Sequence, residues 1–467
     1  MVKVHDLLKF DGVIETDSGA YQILQYGDVE VQPNEIIRFQ EDLDSDIAVI
    51  LDVPTGHESS KDRAKRTVEE TIRRADEALR VVTRKDILWV GPVQGGAYPD
   101  LVSYSAREMA KRDFSIHALG SPTPVMQQYE FGTLVEMVMA AKLNLPPDRP
   151  LHLFGAGHPM MFAMVVAMGC DIFDSASYAL FARNGRYMTV QGTAKLEGLQ
   201  YFPCNCPTCH GSSPEKVRSM IPVDRERFLA SHNLHACHAE LQTIKQAITD
   251  GRLWELVEMR SHAHPALQRA YRRFLHYAPN FEIDTPVRKN RGPLILTADS
   301  LNRPEILRHK ARLLKRYRPP PYADTGVVLP ESYLKPFREN APVEKSLRKI
   351  RRQRNVHICA YNLTYAIIPE ELLDVFPLSQ SVDSLSATPR SITNATTRVV
   401  TYLKSAAYKR CVMVTEEPWQ LKVAKSVKRK VSRTMALRIV DSERGSELAL
   451  SEVLHVLKRV SSRHRIS

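Results

Sequence analysis

A rhythm that repeats six times before residue 180 constrains this chain more than any other feature. A short apolar run ends in a polar or glycine-rich turn, and segments with helical spacing lie between the runs. The runs are Gly12-Val-Ile-Glu-Thr16, Ile47-Ala-Val-Ile-Leu51, Ile87 to Val93, Ile116-His-Ala-Leu119, Leu151-His-Leu-Phe154 and Asp171-Ile-Phe173. Runs of this length suit strands buried on both faces, as in a parallel sheet. Lys61 to Val82, Leu101 to Arg112, Phe131 to Leu143 and Pro159 to Gly169 supply the helices. The methionines of the last, Met160, Met161, Met164 and Met168, read as core packing. Strand-then-helix repetition gives a parallel α/β fold. Polar groups gather at the carboxyl ends of successive strands, which favours a TIM (β/α)8-type barrel, where those ends converge on one face. A closed barrel needs eight strands. Six are legible, so the barrel is expected to be N-terminally incomplete, with an open six-stranded sheet as the alternative.

A cysteine knuckle interrupts the last part of this domain. Cys204-Asn-Cys206-Pro-Thr-Cys209 places three of the chain's seven cysteines within six residues, and His232 follows. Three thiolates and one imidazole complete a tetrahedron with no open position, the pattern of a structural site. Zinc is the expected ion, one per chain, with iron as the alternative. His210 and His235 compete with His232 as the fourth ligand. His232 is preferred as a residue opening a helix, expected over Arg225 to Arg252. Leu253 to Tyr277 reads as a further helix.

The formal charge of +12 suits a polyanionic partner. The cations concentrate after the knuckle, in Lys310 to Arg318, Lys345 to Arg354 and Lys422 to Arg433, bands of the kind that bind phosphate backbones. Tyr317-Arg-Pro-Pro-Pro-Tyr322 reads as a rigid connector and a boundary. Residues 1–280 form the expected barrel domain, with its metal site at 204–232. Residues 281–354 form a linker or accessory region, and 355–467 a small α+β domain, with a helix opening at Pro369. No apolar run reaches the roughly 18 residues of a membrane span, and Met1-Val-Lys-Val-His-Asp has no signal-peptide layout. The cytoplasm is the expected compartment.

Asp17 and Asp174 each follow an apolar run and precede serine and small residues that let a ligand approach. Two carboxylates facing one cleft can divide nucleophilic and acid/base roles, and a carboxylate can attack an anomeric carbon. Asp52 and Gln94 end neighbouring strands and offer donors and acceptors to a planar heterocycle. Tyr21 adds a stacking face.

Thr16-Asp17-Ser18-Gly19-Ala20-Tyr21-Gln22, Leu51-Asp52-Val-Pro-Thr55, Pro92-Val-Gln94-Gly95, Phe173-Asp174-Ser-Ala-Ser-Tyr178, Arg186-Tyr-Met-Thr189 and the cysteine knuckle together resemble the tRNA-guanine transglycosylases. The archaeal branch is the best match, and residues 1–280 carry most of the resemblance. It implies that Asp174 is the nucleophile attacking C1′ and that Asp17 is the general acid/base. Asp52 and Gln94 would read the base, with Gly120 and Ser121 contributing backbone groups, and Tyr21 would stack on it. Cys204, Cys206, Cys209 and His232 would hold zinc. The implied reaction exchanges guanine at position 15 of the tRNA D-arm for 7-cyano-7-deazaguanine (preQ0), in archaeosine biosynthesis. Dimerisation around the zinc region is carried over in the same way.

The family pattern includes about two further strand–helix units before Asp17 and an RNA-binding PUA domain at the C-terminus, neither of which is expected here. A misplaced start, a separate partner chain supplying the missing segment, or a non-catalytic tRNA-binding paralogue would each account for this. A zinc-stabilised hydrolase or glycosidase acting on small molecules is the alternative from another class. The basic bands and the ordered base-pocket residues weigh against it.

Overall fold

The computed structural model describes residues 2–20, 32–56, 58–287, 289, 291–334, 341–353, 355–375, 378, 381–443 and 445–463. The expected stacking residue Tyr21, the band's last residue Arg354 and the end of the basic tail lie outside them. The chain divides into two compact units, Met1–Ile248 with Leu256–Tyr277, and Thr249–Glu255 with Ala278–Ser467.

In the first unit six strands run β1 (Glu15–Thr16), β2 (Ile47–Val49), β3 (Leu88–Val93), β4 (Ile116–Leu119), β5 (Leu151–Leu153) and β6 (Ile172–Phe173). They pair in sequence order, parallel throughout. Residues in register share a face of a sheet, and alternate residues along a strand return to it. The register therefore puts Glu15, Ile47, Val49, Val90, Ile116, Ala118, His152 and Ile172 on one face. Ile47, Val49, Val90, Ile116 and Ala118 form a buried cluster there, with Phe154 and Ile172 packed on it. The sheet curls about this cluster until its outer strands approach. His152 on β5 reaches Glu15 on β1 at 3.1 Å and Asp174, just past β6, at 3.0 Å. The arrangement is a curled parallel half-barrel. Among the described residues β1 and β6 each pair on one side only.

The helices behind the sheet follow the sequence pattern closely. Lys61–Val81 begins at Ser60, whose hydroxyl accepts from the Arg63 amide, and buries Ala64, Val68, Ala75 and Ala78. Pro159–Ala167 is apolar all round because it is buried all round, Met160, Met161 and Met164 included. The expected helix Leu253 to Tyr277 is in fact two, Leu253–Ser261 and Pro265–Phe274. Pro265 excludes its predecessor from helical backbone. His264 is extended (φ −149°, ψ 138°) and caps the second helix by accepting from the Ala266 amide.

A hairpin of β7 (Arg186–Thr189) and β8 (Gly192–Lys195) leads to the cysteine knuckle. The helix after it spans Pro222–Thr249, so His232 does not open that helix, as expected, but lies well inside it.

In the second unit β9 (Leu294–Ile295) pairs with β13 (Val382–Asp383). A five-stranded sheet has the order β12-β11-β10-β14-β15, with β10 (Thr325–Pro330), β11 (Val356–Tyr361), β12 (Ile368–Pro369), β14 (Arg410–Thr415) and β15 (Ala436–Asp441). All pairs are parallel except β11 with β12. Val328, Cys359 and Met413 pack under the helices Pro389–Ser405 and Pro418–Val431. Val327, Ile358 and Val412 face Ala341–Arg351 and Ser446–Arg463 on the other side.

This is a doubly wound α/β sheet, not the small α+β domain expected. The basic band Lys422 to Arg433 hid a crossover helix between β14 and β15. The central strand β10 precedes residue 355, and the connector Tyr317 to Tyr322 lies inside the unit. Pro369 ends the short antiparallel strand β12 and is followed by a 3₁₀ turn, Glu370–Leu372, where a helix was expected. Among the described residues no helix is long and apolar enough to cross a membrane.

Candidate active site and metal centre

Asp17, Gln94, Gly120 and Asp174 share one local origin. Each is the first residue past its strand, two positions beyond a residue on the curled sheet's inner face. The alternation that buries Ile47, Val90 and Ala118 therefore delivers these four to the carboxyl mouth of the half-barrel. Asp52 lies three residues past β2, outside this alternation, and is only 4% exposed.

Four of the expected residues form one tight cluster. Gln94 donates its Nε2 hydrogen to Asp52. Its Oε1 accepts from the Thr55 amide at 3.0 Å and the Ser121 hydroxyl at 3.1 Å. The carboxamide is thereby fixed at both ends. Gly120 lies against it: a Cβ at this position would sit 2.1 Å from Gln94 Nε2. Ser121 holds a left-handed backbone, φ 63°. Burial pushes the Asp52 carboxyl up to about 6, against the Gln94 hydrogen bond that favours its anion, and the charge of Asp17 adds to the rise.

The two aspartates differ in environment. Burial raises Asp17 above the usual carboxylate range, the amides of Ser18 and Gly19 oppose this, and Asp174 and Glu15 raise it further. Asp174 is also partly buried, which works against its charge. Hydrogen bonds from His152 and from the Gly155 amide (3.0 Å) outweigh this and hold it below the usual range. The pair therefore consists of one carboxyl whose surroundings favour its proton and one whose surroundings favour its charge.

The residues absent from the sequence expectation are Glu15, His152, Thr55 and Gly155. The available signal was a charged or titratable side chain inside an otherwise apolar run, Glu15 in the first and His152 in the fifth. His117 shows why that signal is weak. It sits in the neighbouring run, on the opposite face of the sheet, in register with Gly91, and burial lowers it to about 4.

Cys204, Cys206, Cys209 and His232 come together as expected, their four ligand atoms all within 4.8 Å of one another. His232 Nε2 lies 2.9 Å from the Met188 carbonyl, a group that can only accept, so Nε2 carries the proton. The Nδ1 lone pair then faces the sulfurs, 3.3 Å from Cys209 and 3.7 Å from Cys206. A ligating histidine tied through its other nitrogen to a carbonyl is the usual support of a metal site. Tyr187 stacks on the imidazole at 3.5 Å between centroids and places its hydroxyl 3.4 Å from Cys209 Sγ. Asn233 accepts from the Met188 amide and donates to the Tyr178 and Arg186 carbonyls, which pins β7 to the helix carrying His232. The competing His210 is instead bonded to Asn205. These four residues could hold a metal ion.

A family model described as queuine tRNA-ribosyltransferase (TGT) matches residues 1–266. The chain is 43% identical over 383 residues to a tRNA-guanine(15) transglycosylase of Methanocaldococcus jannaschii, covering 81% of this chain and 57% of that protein. It is 46% identical over 311 residues to one from Thermococcus kodakarensis (67% and 53% covered). It is 45% identical over 317 residues to one from Sulfolobus acidocaldarius (67% and 64% covered). The chain thus spans 53–64% of the length of these relatives.

Proposed function

The chain belongs to the queuine tRNA-ribosyltransferase family, and from that premise we propose that it exchanges guanine at position 15 of the tRNA D-arm for preQ0, in archaeosine biosynthesis. The observation that carries this reading is the opposed pair at the half-barrel mouth, Asp17 raised and Asp174 lowered. Two carboxyls whose surroundings push them apart divide into acid and nucleophile.

A base within folded tRNA must first leave its stack to expose the glycosidic carbon. Asp174 then attacks C1′. The C1′–N9 bond breaks, its electron pair departs with guanine, and Asp17 supplies the proton that guanine takes up. A ribosyl ester on Asp174 remains. The incoming base returns its N9 proton to Asp17 and attacks C1′, and the ester bond breaks to restore the Asp174 carboxylate. One C–N bond replaces another, so the step calls for no activated nucleotide. Asp52 and Gln94 would accept from and donate to the edge of the base, with Gly120 allowing close approach and Ser121 holding Gln94. Tyr21 would stack on the base.

The knuckle fits zinc: three thiolates and one imidazole whose other nitrogen is already engaged fill a tetrahedron. The ion would cross-link the 204–209 loop to the helix Pro222–Thr249 and take no part in the exchange.

Incorporation of radiolabelled guanine into unmodified tRNA tests the reading. The chain should incorporate guanine, and Asp174→Asn should bind tRNA with affinity within about threefold while losing at least ~1,000-fold in exchange. Undiminished exchange by Asp174→Asn would overturn the assignment.

A further inference from the structure

We propose that His152 is a positioning residue for the exchange: clamped between Glu15 on β1 and Asp174 after β6, it orients the attacking carboxylate and fixes it relative to the strand that carries Asp17. The proposal rests on the reading of Asp174 as the nucleophile.

The geometry fixes the state of the ring. The His152 side chain is 3% exposed, with Nδ1 3.1 Å from Glu15 Oε1 and Nε2 3.0 Å from Asp174 Oδ1. A neutral imidazole donates through one nitrogen only. Carboxylates on both nitrogens require both to donate, so the ring is an imidazolium between two anions. Burial disfavours that charge, but the two carboxylates overcome it and raise the ring to about 9. Its other neighbour, Phe154, meets the ring edge-on at 4.6 Å. Among the described residues, Glu15 and Asp174 are therefore the charged groups that face His152.

Two consequences follow for Asp174. The hydrogen bonds from His152 and from the Gly155 amide both end on Oδ1, so Oδ2 is the oxygen placed to attack. Asp174 also loses its charge when it becomes an ester. Glu15 retains its own charge at that moment, so His152 keeps a counter-ion and its proton throughout the cycle. The clamp also acts geometrically. Glu15 stands two residues before Asp17, so a clamp from Glu15 through His152 to Asp174 sets the spacing of acid and nucleophile across strands that do not pair directly.

The test compares the full chain with His152→Asn, Glu15→Gln and Asp174→Asn. His152→Asn should lower kcat at least ~100-fold with KM for tRNA within about threefold. It should also move the acid limb of the kcat profile upward by about one pH unit, because Asp174 has lost its cation. Glu15→Gln should lose activity at lower pH than the wild type on the basic side, as His152 gives up its proton earlier. A purely structural role would move neither limb. Where His152→Asn lowers the melting temperature by several degrees, Glu15→Gln, which keeps the ring, decides.

Exchange that requires Asp174 but is unchanged in rate and pH limbs by both other variants would overturn the proposal. Exchange that survives Asp174→Asn would instead overturn the nucleophile reading. Histidine-selective NMR then judges the clamp on its own: a ring doubly protonated at pH 8 in the wild type and neutral in Glu15→Gln sustains it, and a ring neutral in both overturns it.

Discussion

Asp52 shows what burying a carboxyl at the half-barrel mouth costs at a single residue. Its carboxyl is buried, bonded to Gln94, and lifted to about 6, while in the unfolded chain it titrates near the ordinary aspartate value. The folded state therefore favours the proton. Stability contributed by the protonated form is complete at acid pH, declines as pH rises through the unfolded value, and is gone above about 6. At neutral pH the anion is held at a cost of about 3 kcal/mol. Asp52→Asn keeps an acceptor for Gln94 and removes the charge. It should stabilise the fold by up to about that amount at pH 7.5 and have little effect at pH 4, while exchange falls because an anionic acceptor for the base is gone. Urea denaturation at the two pH values measures this. An equal effect at both would mean that Asp52 is not the buried anion described. The same residue marks what the sequence disclosed. Asp17, Asp52, Gln94 and Asp174 were legible because each breaks an apolar run at its carboxyl end. Glu15 and His152 were not, because a polar residue within a buried strand looks alike whether it faces helices, as His117 does, or the barrel interior.

At the scale of elements, the parallel strands and their helices were legible because burial on both faces leaves unbroken apolar runs. The second sheet was hidden where charge masks a helix. Pro418–Val431 buries Val423, Ala424, Val427 and Val431 against that sheet. The cations around them, Lys422, Lys425, Lys428, Arg429 and Lys430, are exposed. The apolar stripe has the 3.6-residue period of a helix, and the cations cover the rest of its surface. Such a face adds affinity through counter-ion release, at about 0.9 of a salt-slope unit per phosphate on duplex and about 0.7 on single strands. Replacing Lys422, Lys425 and Arg429 with glutamate should weaken tRNA binding about 10-fold or more at low salt and flatten the plot of log K against log salt by about two to three units. It should leave the melting temperature within a few degrees, since none of the three is buried. Filter binding from 50 to 300 mM salt checks it. An unchanged slope would remove this helix from the proposed tRNA interface.

At the scale of the whole molecule, hydrophobic clusters of described residues lie within each unit, and units with their own cores are expected to unfold in separate transitions. The metal knuckle belongs to the first unit alone: Cys204, Cys206, Cys209 and His232 all precede Ile248. Their packing is local too, with Tyr187, Leu196, Val217 and Leu229 forming a small cluster around the cysteines. The proposed ion would add folding free energy to this small cluster, because the unfolded chain has no preformed site. Chelation should therefore lower one calorimetric transition, by about 10 °C or more, and leave the other in place. His232→Ala should reproduce the shift without chelator and abolish the response to it. Because His232 sits within the helix that follows the barrel, loss of the ion should loosen the 204–209 loop before it disturbs the β1–β6 sheet. Hydrogen exchange would then show deprotection at 196–220 at chelator concentrations where β3 and β4 remain protected. Two transitions falling together would mean that the units share one cooperative core, and neither falling would mean that the knuckle is held by packing alone.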